Sequence, residues 1–324
     1  MRRHRREWNP ATRTSARSPH CRGGLVKTLA PRGFVRLLVA LALLAGGAAF
    51  AATDVAELQS KAEAGDAESE YLLGKAYLNG DGVTRDDAKA AEWFRKAAEQ
   101  GHFKAQNNLG FLYLEGRGVK QDDAEAVKWL RKAAEQEALP SQAALAALIE
   151  QGRGTTKDVV EAVAWYRKAA EQGDQPSQVR LGEIYFFGAE GGEGAPGIKR
   201  DPEEALRWYH EPAERGNPAA QNAMGSILER GYGERKADPK AAAEWYRKAA
   251  KQGDPKARAN LGRLYYEGRG VDKDPARAYA WLRLSANAGE PLAKNLVEEV
   301  KASLSAEKLA EGEVLVQFFE QGVD

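Results

Sequence analysis

The sequence predicts an all-α protein that repeats one helix-loop-helix unit six times. Two observations predict it: tryptophan recurs at a nearly constant interval, and glycine, aspartate and alanine recur in step with it. A period of 36 or 37 residues, with one gap of 43, separates six tryptophans: Trp93, Trp129, Trp165, Trp208, Trp245 and Trp281. Such a period is typical of stacked helical pairs, because one pair alone cannot bury its apolar side.

The recurring positions divide the chain into an array with two ends. The predicted units are 67–102, 103–138, 139–174, 175–217, 218–254 and 255–290. Residues 52–66 resemble a lone second helix, and residues 291–324 predict two further helices separated by a break at 303–305. We expect these terminal helices to cap the array, since the end units otherwise expose one apolar side.

The first helix of each unit is predicted from an apolar stripe. In the second unit Ala105, Leu109 and Tyr113 stand at i, i+4 and i+8, and the other units keep this spacing. A glycine follows the central apolar residue in five units, and we interpret it as a point of close helix packing because it otherwise weakens a helix. These glycines are Gly74, Gly110, Gly182, Gly225 and Gly262.

The loop and the second helix are predicted from two further columns. Glycine is expected to end the first helix, at Gly80, Gly116, Gly152, Gly188, Gly231 and Gly268. Aspartate is expected to cap the second helix, at Asp86, Asp122, Asp158, Asp201, Asp238 and Asp274. The tryptophans lie on the apolar face of the second helix, so they are predicted to belong to the continuous core.

The second unit reads AQNNLGFLYLEGRGVKQDDAEAVKWLRKAAEQ and resembles the Sel-one-like repeat (SLR), a tetratricopeptide-like repeat. The resemblance covers residues 67–290 and weakens in the fourth unit, with seven extra residues near 188–197 and Glu211-Pro212 in place of Lys-Ala. It implies a right-handed α/α superhelical solenoid whose first helices line a concave groove. It also implies an adaptor, assembly factor or regulator, often of the bacterial envelope, without a shared catalytic residue.

The first 51 residues are predicted to be an N-terminal extension and a signal peptide. Arg32 and Arg36 precede the apolar run 37–44, and an Ala-x-Ala sequence at 49–51 follows it. Cleavage is predicted after Ala51, which places the mature protein in the periplasm or outside the cell. An uncleaved membrane anchor is the alternative. The long polar stretch before the apolar run favours a translation start near residues 25–26.

Charge and cysteine content exclude several functions. The chain has 48 basic and 47 acidic residues, but ten basic and one acidic residue fall in 1–51. Residues 52–324 therefore carry 38 basic and 46 acidic side chains, a net charge of −8, which disfavours nucleic acid and anionic membranes as partners. The one cysteine, Cys21, leaves the repeats without a disulfide, a cysteine-based metal site or a thiol nucleophile.

Three motifs resemble catalytic or binding chemistry, and each has a structural interpretation. Residues 192–197 fit G-x-G-x-x-G but lie in the predicted inserted loop, beside acidic residues that would repel phosphate. Ser305 and Lys308 fit S-x-x-K, although Ser305 is better explained as a helix cap. His102 and His210 do not form a metal set. We predict no catalytic residue, cofactor or metal.

The candidate binding residues stand at the variable positions of the first helices. These positions are two before, two after and five after the central apolar residue, and we call the surface they form the inner surface. The candidates at these positions are Tyr71, Asn107, Phe111, Leu114, Phe186, Arg263 and Tyr266, and Phe187, next to Phe186, is a further candidate. Aromatic residues in a groove favour peptide or protein capture. The alternative is that these side chains only pack between repeats.

These observations predict an exported, non-enzymatic scaffold that holds a protein or peptide partner on its concave face. Two alternatives stay open: a glycan-binding scaffold in exopolysaccharide export, favoured by groove aromatics, and a penicillin-recognising enzyme acting through Ser305. The sequence predicts no membrane span in the mature chain and does not predict an oligomeric state.

Overall fold

The computed structural model describes residues 52–194 and 196–321, and within them the chain forms fifteen α-helices and no strand. The predicted signal peptide and Cys21 lie outside the described residues. The helices are α1 (Ala52–Glu63), α2 (Ala67–Asn79), α3 (Asp87–Glu99), α4 (Phe103–Glu115), α5 (Asp123–Glu135), α6 (Leu139–Gln151), α7 (Val159–Glu171), α8 (Gln175–Phe187), α9 (Pro202–Glu214), α10 (Pro218–Arg230), α11 (Pro239–Lys251), α12 (Pro255–Glu267), α13 (Pro275–Asn287), α14 (Pro291–Ser303) and α15 (Ala306–Glu320). Each helix packs on its neighbours along the chain as far as α14, which makes an all-α solenoid.

The aspartate column caps the second helix in all six repeats, as predicted. The Asp122 carboxylate accepts hydrogen bonds from the backbone N–H groups of Ala124 and Glu125 at 2.9 and 3.0 Å. The other five aspartates accept equivalent bonds. These bonds satisfy donors that the first turn of a helix leaves free. The caps therefore fix where every second helix begins.

The glycines inside the first helices are close-packing points, which confirms their interpretation. A Cβ atom at Gly110 would lie 2.6 Å from the Leu130 side chain, and one at Gly225 would lie 2.7 Å from the Tyr246 ring. In the five repeats that have it, glycine thus lets the first helix approach the large residue that follows tryptophan on its own second helix. These following residues are at most 2% exposed and are Phe94, Leu130, Tyr166, Tyr209, Tyr246 and Leu282.

The tryptophan column only partly forms the core, which corrects the prediction. Trp129, Trp165 and Trp281 are buried, whereas Trp93, Trp208 and Trp245 are half-buried. Lysine three residues later covers several of the indoles, and the Lys96 Nζ atom lies 3.8 Å from the centre of the Trp93 ring. The column therefore lies at the edge of the core, where a lysine side chain completes its cover.

Alanine substitutions at two adjacent positions of α3 should show that the residue after tryptophan contributes more to stability than the tryptophan itself. Phe94→Ala removes a side chain with no accessible surface and should lower the free energy of unfolding by about 3 kcal/mol. Trp93→Ala removes a half-buried ring and should cost about 1 kcal/mol. Urea denaturation of both variants measures the difference, and a larger loss for Trp93→Ala would contradict the assignment.

Successive repeats are joined by a loop contact that recurs along the stack. The Arg153 guanidinium donates to the Asp123 carboxylate at 2.6 and 3.1 Å, and Arg117 contacts Asp87 in the same way one repeat earlier. The glycine after each arginine packs on the backbone of the preceding second helix. These loop contacts hold repeats two, three and six against the repeat that precedes each of them.

Repeats four and five depart from this loop geometry. Residues Ala189 and Ile198 exchange backbone hydrogen bonds of 2.9 and 2.8 Å across the inserted segment. A Cβ atom at Gly192 would lie 2.1 Å from the Lys157 carbonyl oxygen, so the insertion rests on repeat three. Pro212 lies inside α9, yet that helix keeps thirteen residues like the other second helices.

The terminal helices cover the two ends in different ways. Helix α1 packs on α2 through Val55, Leu58 and Ala62, and α14 packs on α13. Helix α15 also packs on α13, where the Phe319 ring stacks on Trp281 with centres 4.2 Å apart. This contact explains why Trp281 is the most buried of the six repeat tryptophans.

No helix within residues 52–194 and 196–321 combines the length and the hydropathy needed to cross a bilayer.

Candidate functional site

The inner surface is closed in repeats two and three. Phe111 has no accessible surface, and Asn107 and Leu114 are 8% and 6% exposed. Alanines occupy the first two matching positions of α6, and the Ser141 hydroxyl on α6 donates to the Asn107 amide oxygen on α4 at 2.7 Å. The expectation that these three residues face an open groove is therefore wrong, because small neighbours let the helices pack over them.

The two phenylalanines that end α8 have different surroundings. Phe186 is 7% exposed and lies under the Arg200 guanidinium, which also contacts the Tyr232 ring. Phe187 is 57% exposed and packs edge-on against Phe186 at 4.7 Å between ring centres. Packing accounts for Phe186, and Phe187 alone of the pair offers an accessible ring.

The remaining candidates are half-buried and already engaged. The Tyr71 ring stacks on His102 at 4.7 Å. The Tyr266 hydroxyl donates to the Glu299 carboxylate at 3.3 Å. Arg263 donates to Glu229 through Nη2 at 2.6 and 2.8 Å. These three side chains keep partial access to solvent.

A charged cluster that the sequence did not predict lies at the junction of repeats three and four. Arg180 on α8 donates to Glu150 on α6 at 3.1 Å through Nε, and to Glu183 at 2.7 Å through Nη1. The Tyr166 hydroxyl on α7 donates to Glu150 at 3.0 Å. Burial raises the pKa of Glu183 above its usual value even beside Arg180. Two carboxylates thus share one guanidinium.

A second cluster repeats this arrangement between repeats five and six. The Tyr246 hydroxyl on α11 donates to Glu229 at 3.0 Å, and both Arg263 and Arg269 contact the same carboxylate. Burial opposes ionisation of Glu229, but the hydrogen bond and charge of Arg263 outweigh it and hold the pKa below its usual value. Two arginines thus neutralise the charge of Glu229, whereas Glu183 has only Arg180, which it shares with Glu150.

Between the two clusters the inner surface stays open and polar. Val179, Glu183, Asn222, Ser226 and Ala259 are all half-buried. The Asn260 amide donates to the Asn222 amide oxygen at 3.0 Å, which links α12 to α10. Repeats four to six therefore present accessible amide, hydroxyl and carboxylate groups, whereas repeats two and three present mostly buried and mostly apolar side chains, with Asn107 and Glu150 as the polar exceptions.

The S-x-x-K pair has the arrangement of a helix cap. The Ser305 hydroxyl accepts from the Lys308 backbone N–H at 3.2 Å at the start of α15, which confirms the capping interpretation. The Lys308 ammonium donates to Glu311 at 2.6 Å, and this hydrogen bond raises the pKa of Lys308. Acylation chemistry needs a lysine that can take a proton, so this pair is not arranged for it.

The other two motifs also have structural roles. The 192–197 segment lies in the inserted loop, between the bridge residues Ala189 and Ile198, and no helix begins directly after it as a phosphate site would need. His102 caps α4, where its Nδ1 atom accepts from the Ala105 backbone N–H at 3.2 Å. Across residues 52–194 and 196–321, no group of three metal-binding side chains comes together.

The family model described as Sel1 repeat matches residues 67–102, 103–137, 139–174, 175–217, 218–254 and 255–290. No curated protein matches the chain.

Two solved structures are similar to the chain. A Sel1 repeat protein from Oxalobacter formigenes is 32% identical, with a TM-score of 0.56, over 73% of this chain and 99% of its own. A protective antigen of uropathogenic Escherichia coli strains, displaying an SLR fold, is 29% identical, with a TM-score of 0.37, over 90% of this chain and 76% of its own. With six matched repeats between residues 67 and 290, the chain belongs to the Sel1 repeat family.

Proposed function

We propose that this protein is an exported scaffold that binds a protein partner through the inner surface of repeats four to six. Sel1 repeat proteins generally mediate protein–protein interaction, and their fold is typically non-catalytic. The observation that carries the proposal is the change along the inner surface, from closed and apolar in α4 and α6 to open and polar in α8, α10 and α12.

The polar groups there suit a polypeptide ligand. Asn222 and Asn260 use one amide group each on their mutual hydrogen bond, which leaves further donors and acceptors for a main chain. Glu183 and Arg263 add charges that are partly shielded from solvent, where electrostatic interactions are stronger than in bulk water. Export is supported by the basic segment, apolar run and Ala-x-Ala sequence before residue 52.

Capture of the cellular partner with a blocked variant tests this function. Ser226→Arg places a long side chain on the half-buried centre of the surface, and we expect it to reduce capture from envelope extract at least tenfold. The bait is the full-length chain with a C-terminal affinity tag, purified from the envelope. Determination of its first residue should give Ala52.

The matched control is Glu244→Arg, which adds the same side chain at an exposed position of α11. We expect it to capture the partner as well as the unaltered protein does. Thermal melting establishes that both variants are folded. Undiminished capture by folded Ser226→Arg would move the binding surface away from the inner surface and contradict the proposal.

A further inference from the structure

Three tyrosines at equivalent positions of α7, α9 and α11 differ in one hydrogen bond. Tyr166 and Tyr246 donate to Glu150 and Glu229. Tyr209, which is 2% exposed, has no hydrogen-bond partner for its hydroxyl within the described chain. The reason is that Phe186 occupies the position that Glu150 and Glu229 hold in their repeats. The Tyr209 hydroxyl is not fully enclosed, so a hydrogen-bonding group from outside the chain can reach it.

The helix that the Tyr209 ring contacts also carries Glu183, the carboxylate that shares Arg180 with Glu150. The Tyr209 ring packs against Gly182, where a Cβ atom would lie 2.6 Å from it, and Glu183 is the next residue. The charge of Glu183 contributes, after burial, to raising the pKa of Tyr209. Arg180 donates to one oxygen of Glu183, and the other oxygen has no donor within the described chain. A carboxylate oxygen on α8 and the hydroxyl of a ring packed against α8 are therefore both available to a ligand.

The local charge balance favours a cation at this place. Glu150 and Glu183 share Arg180, which leaves one negative charge in excess. Lys256 on α12 acts on Glu183 through its charge alone, without a hydrogen bond. An anion would meet the excess charge, whereas an ammonium or guanidinium group would neutralise it and donate to both free groups.

We propose that Glu183 and Tyr209 form a recognition site for a lysine or arginine side chain of an extended peptide segment in the partner. This inference rests on the proposed function and adds the chemistry of one partner residue. The amide pair Asn222–Asn260 lies on the two following first helices and provides donors and acceptors for the main chain of the same segment. The basic side chain would then enter beside α8 while the peptide runs along α10 and α12.

Pools of fluorescent nonapeptides test the site directly. Each pool has uncharged residues at eight positions and a fixed central lysine, arginine, norleucine or glutamate, and fluorescence anisotropy measures its binding to the purified full-length protein. We expect the lysine and arginine pools to bind about tenfold more tightly than the norleucine pool and the glutamate pool to bind least. The preference should decrease as salt rises.

Two conservative variants and one control identify the groups responsible. Glu183→Gln should abolish the preference for a basic residue, and Tyr209→Phe, which keeps the ring against Gly182, should reduce it about threefold. Glu214→Gln makes the same charge change at an exposed position of α9 and should leave the preference intact. Melting curves show that each variant is folded.

The outcomes separate this inference from the proposed function. A preference that survives in folded Glu183→Gln, or no binding by any pool, would overturn the site. If Ser226→Arg still abolished partner capture in that case, the inner surface would remain the binding surface without this recognition site. Undiminished capture by Ser226→Arg would reject the proposed function whatever the pools show.

Discussion

Gly154→Ala is expected to lower the free energy of unfolding by about 5 kcal/mol. Gly154 has a φ of +67°, and a Cβ atom there would lie 2.1 Å from the backbone oxygen of Asp123 in the preceding repeat. No side-chain rotation relieves an overlap with backbone, so the two repeats must move apart. That movement also lengthens the Arg153–Asp123 ion pair, which is 2.6 Å at its closest.

Gly173→Ala is the matched control for this prediction. Its φ of +88° imposes a similar backbone cost, but no atom lies within 4 Å of a Cβ placed there. We expect a loss of about 1–2 kcal/mol, the cost of the left-handed conformation alone. Urea midpoints and m-values of both variants give the comparison. Equal losses would show that the contact between repeats contributes nothing.

The sequence predicts the fold well because its determinants are local and repeated. Asp122 caps its helix from a position fixed by nearest neighbours, and the same geometry recurs wherever that aspartate recurs. Gly110 indicates close packing because glycine in a helix otherwise costs stability. Trp93 is less well predicted, since a large apolar residue on the correct helical face can still lie at the rim of the core.

The candidate site is predicted less well because it depends on contacts between repeats. Phe111 matches the variable pattern of a groove residue, but it has no accessible surface, and the matching positions of the next first helix hold the buried small residues Ala143 and Ala147, more than thirty positions later. The residues of one repeat do not determine how closely its first helix lies to the first helix of the next repeat. Small residues in the next repeat were the available signal that this part of the surface closes.

The charged clusters also carried a signal in the sequence. Glu150 and Glu229 are each followed, 16 and 17 residues later, by a tyrosine directly after the repeat tryptophan. A carboxylate on a first helix paired with a tyrosine on the second predicts a buried hydrogen bond. Repeat four has the tyrosine without the glutamate, so Tyr209 stands out only when the three repeats are compared.

Arg180→Met is expected to lower the free energy of unfolding by about 4 kcal/mol at neutral pH. The side chain keeps most of its apolar length, but Glu150 and Glu183 lose their shared guanidinium. The side chains of these glutamates are only 11% and 17% exposed, so water compensates little. Arg207→Met is the control, because Arg207 is 79% exposed and its pair with Glu204 should contribute less than about 1 kcal/mol.

The loss in the free energy of unfolding caused by Arg180→Met should become smaller as the pH falls from 7 to 5. Burial already raises the pKa of Glu183 in the folded protein, and loss of Arg180 raises it further. A carboxyl group whose pKa is raised in the folded protein binds a proton more tightly in the folded state than in the unfolded state. The folded state therefore gains stability as the pH falls, and it loses that stability as the pH rises through the raised pKa. Urea denaturation at both pH values measures the change. A deficit that stayed constant, or that matched Arg207→Met at pH 7, would show that Arg180 is not the counter-charge that holds this part of the inner surface together.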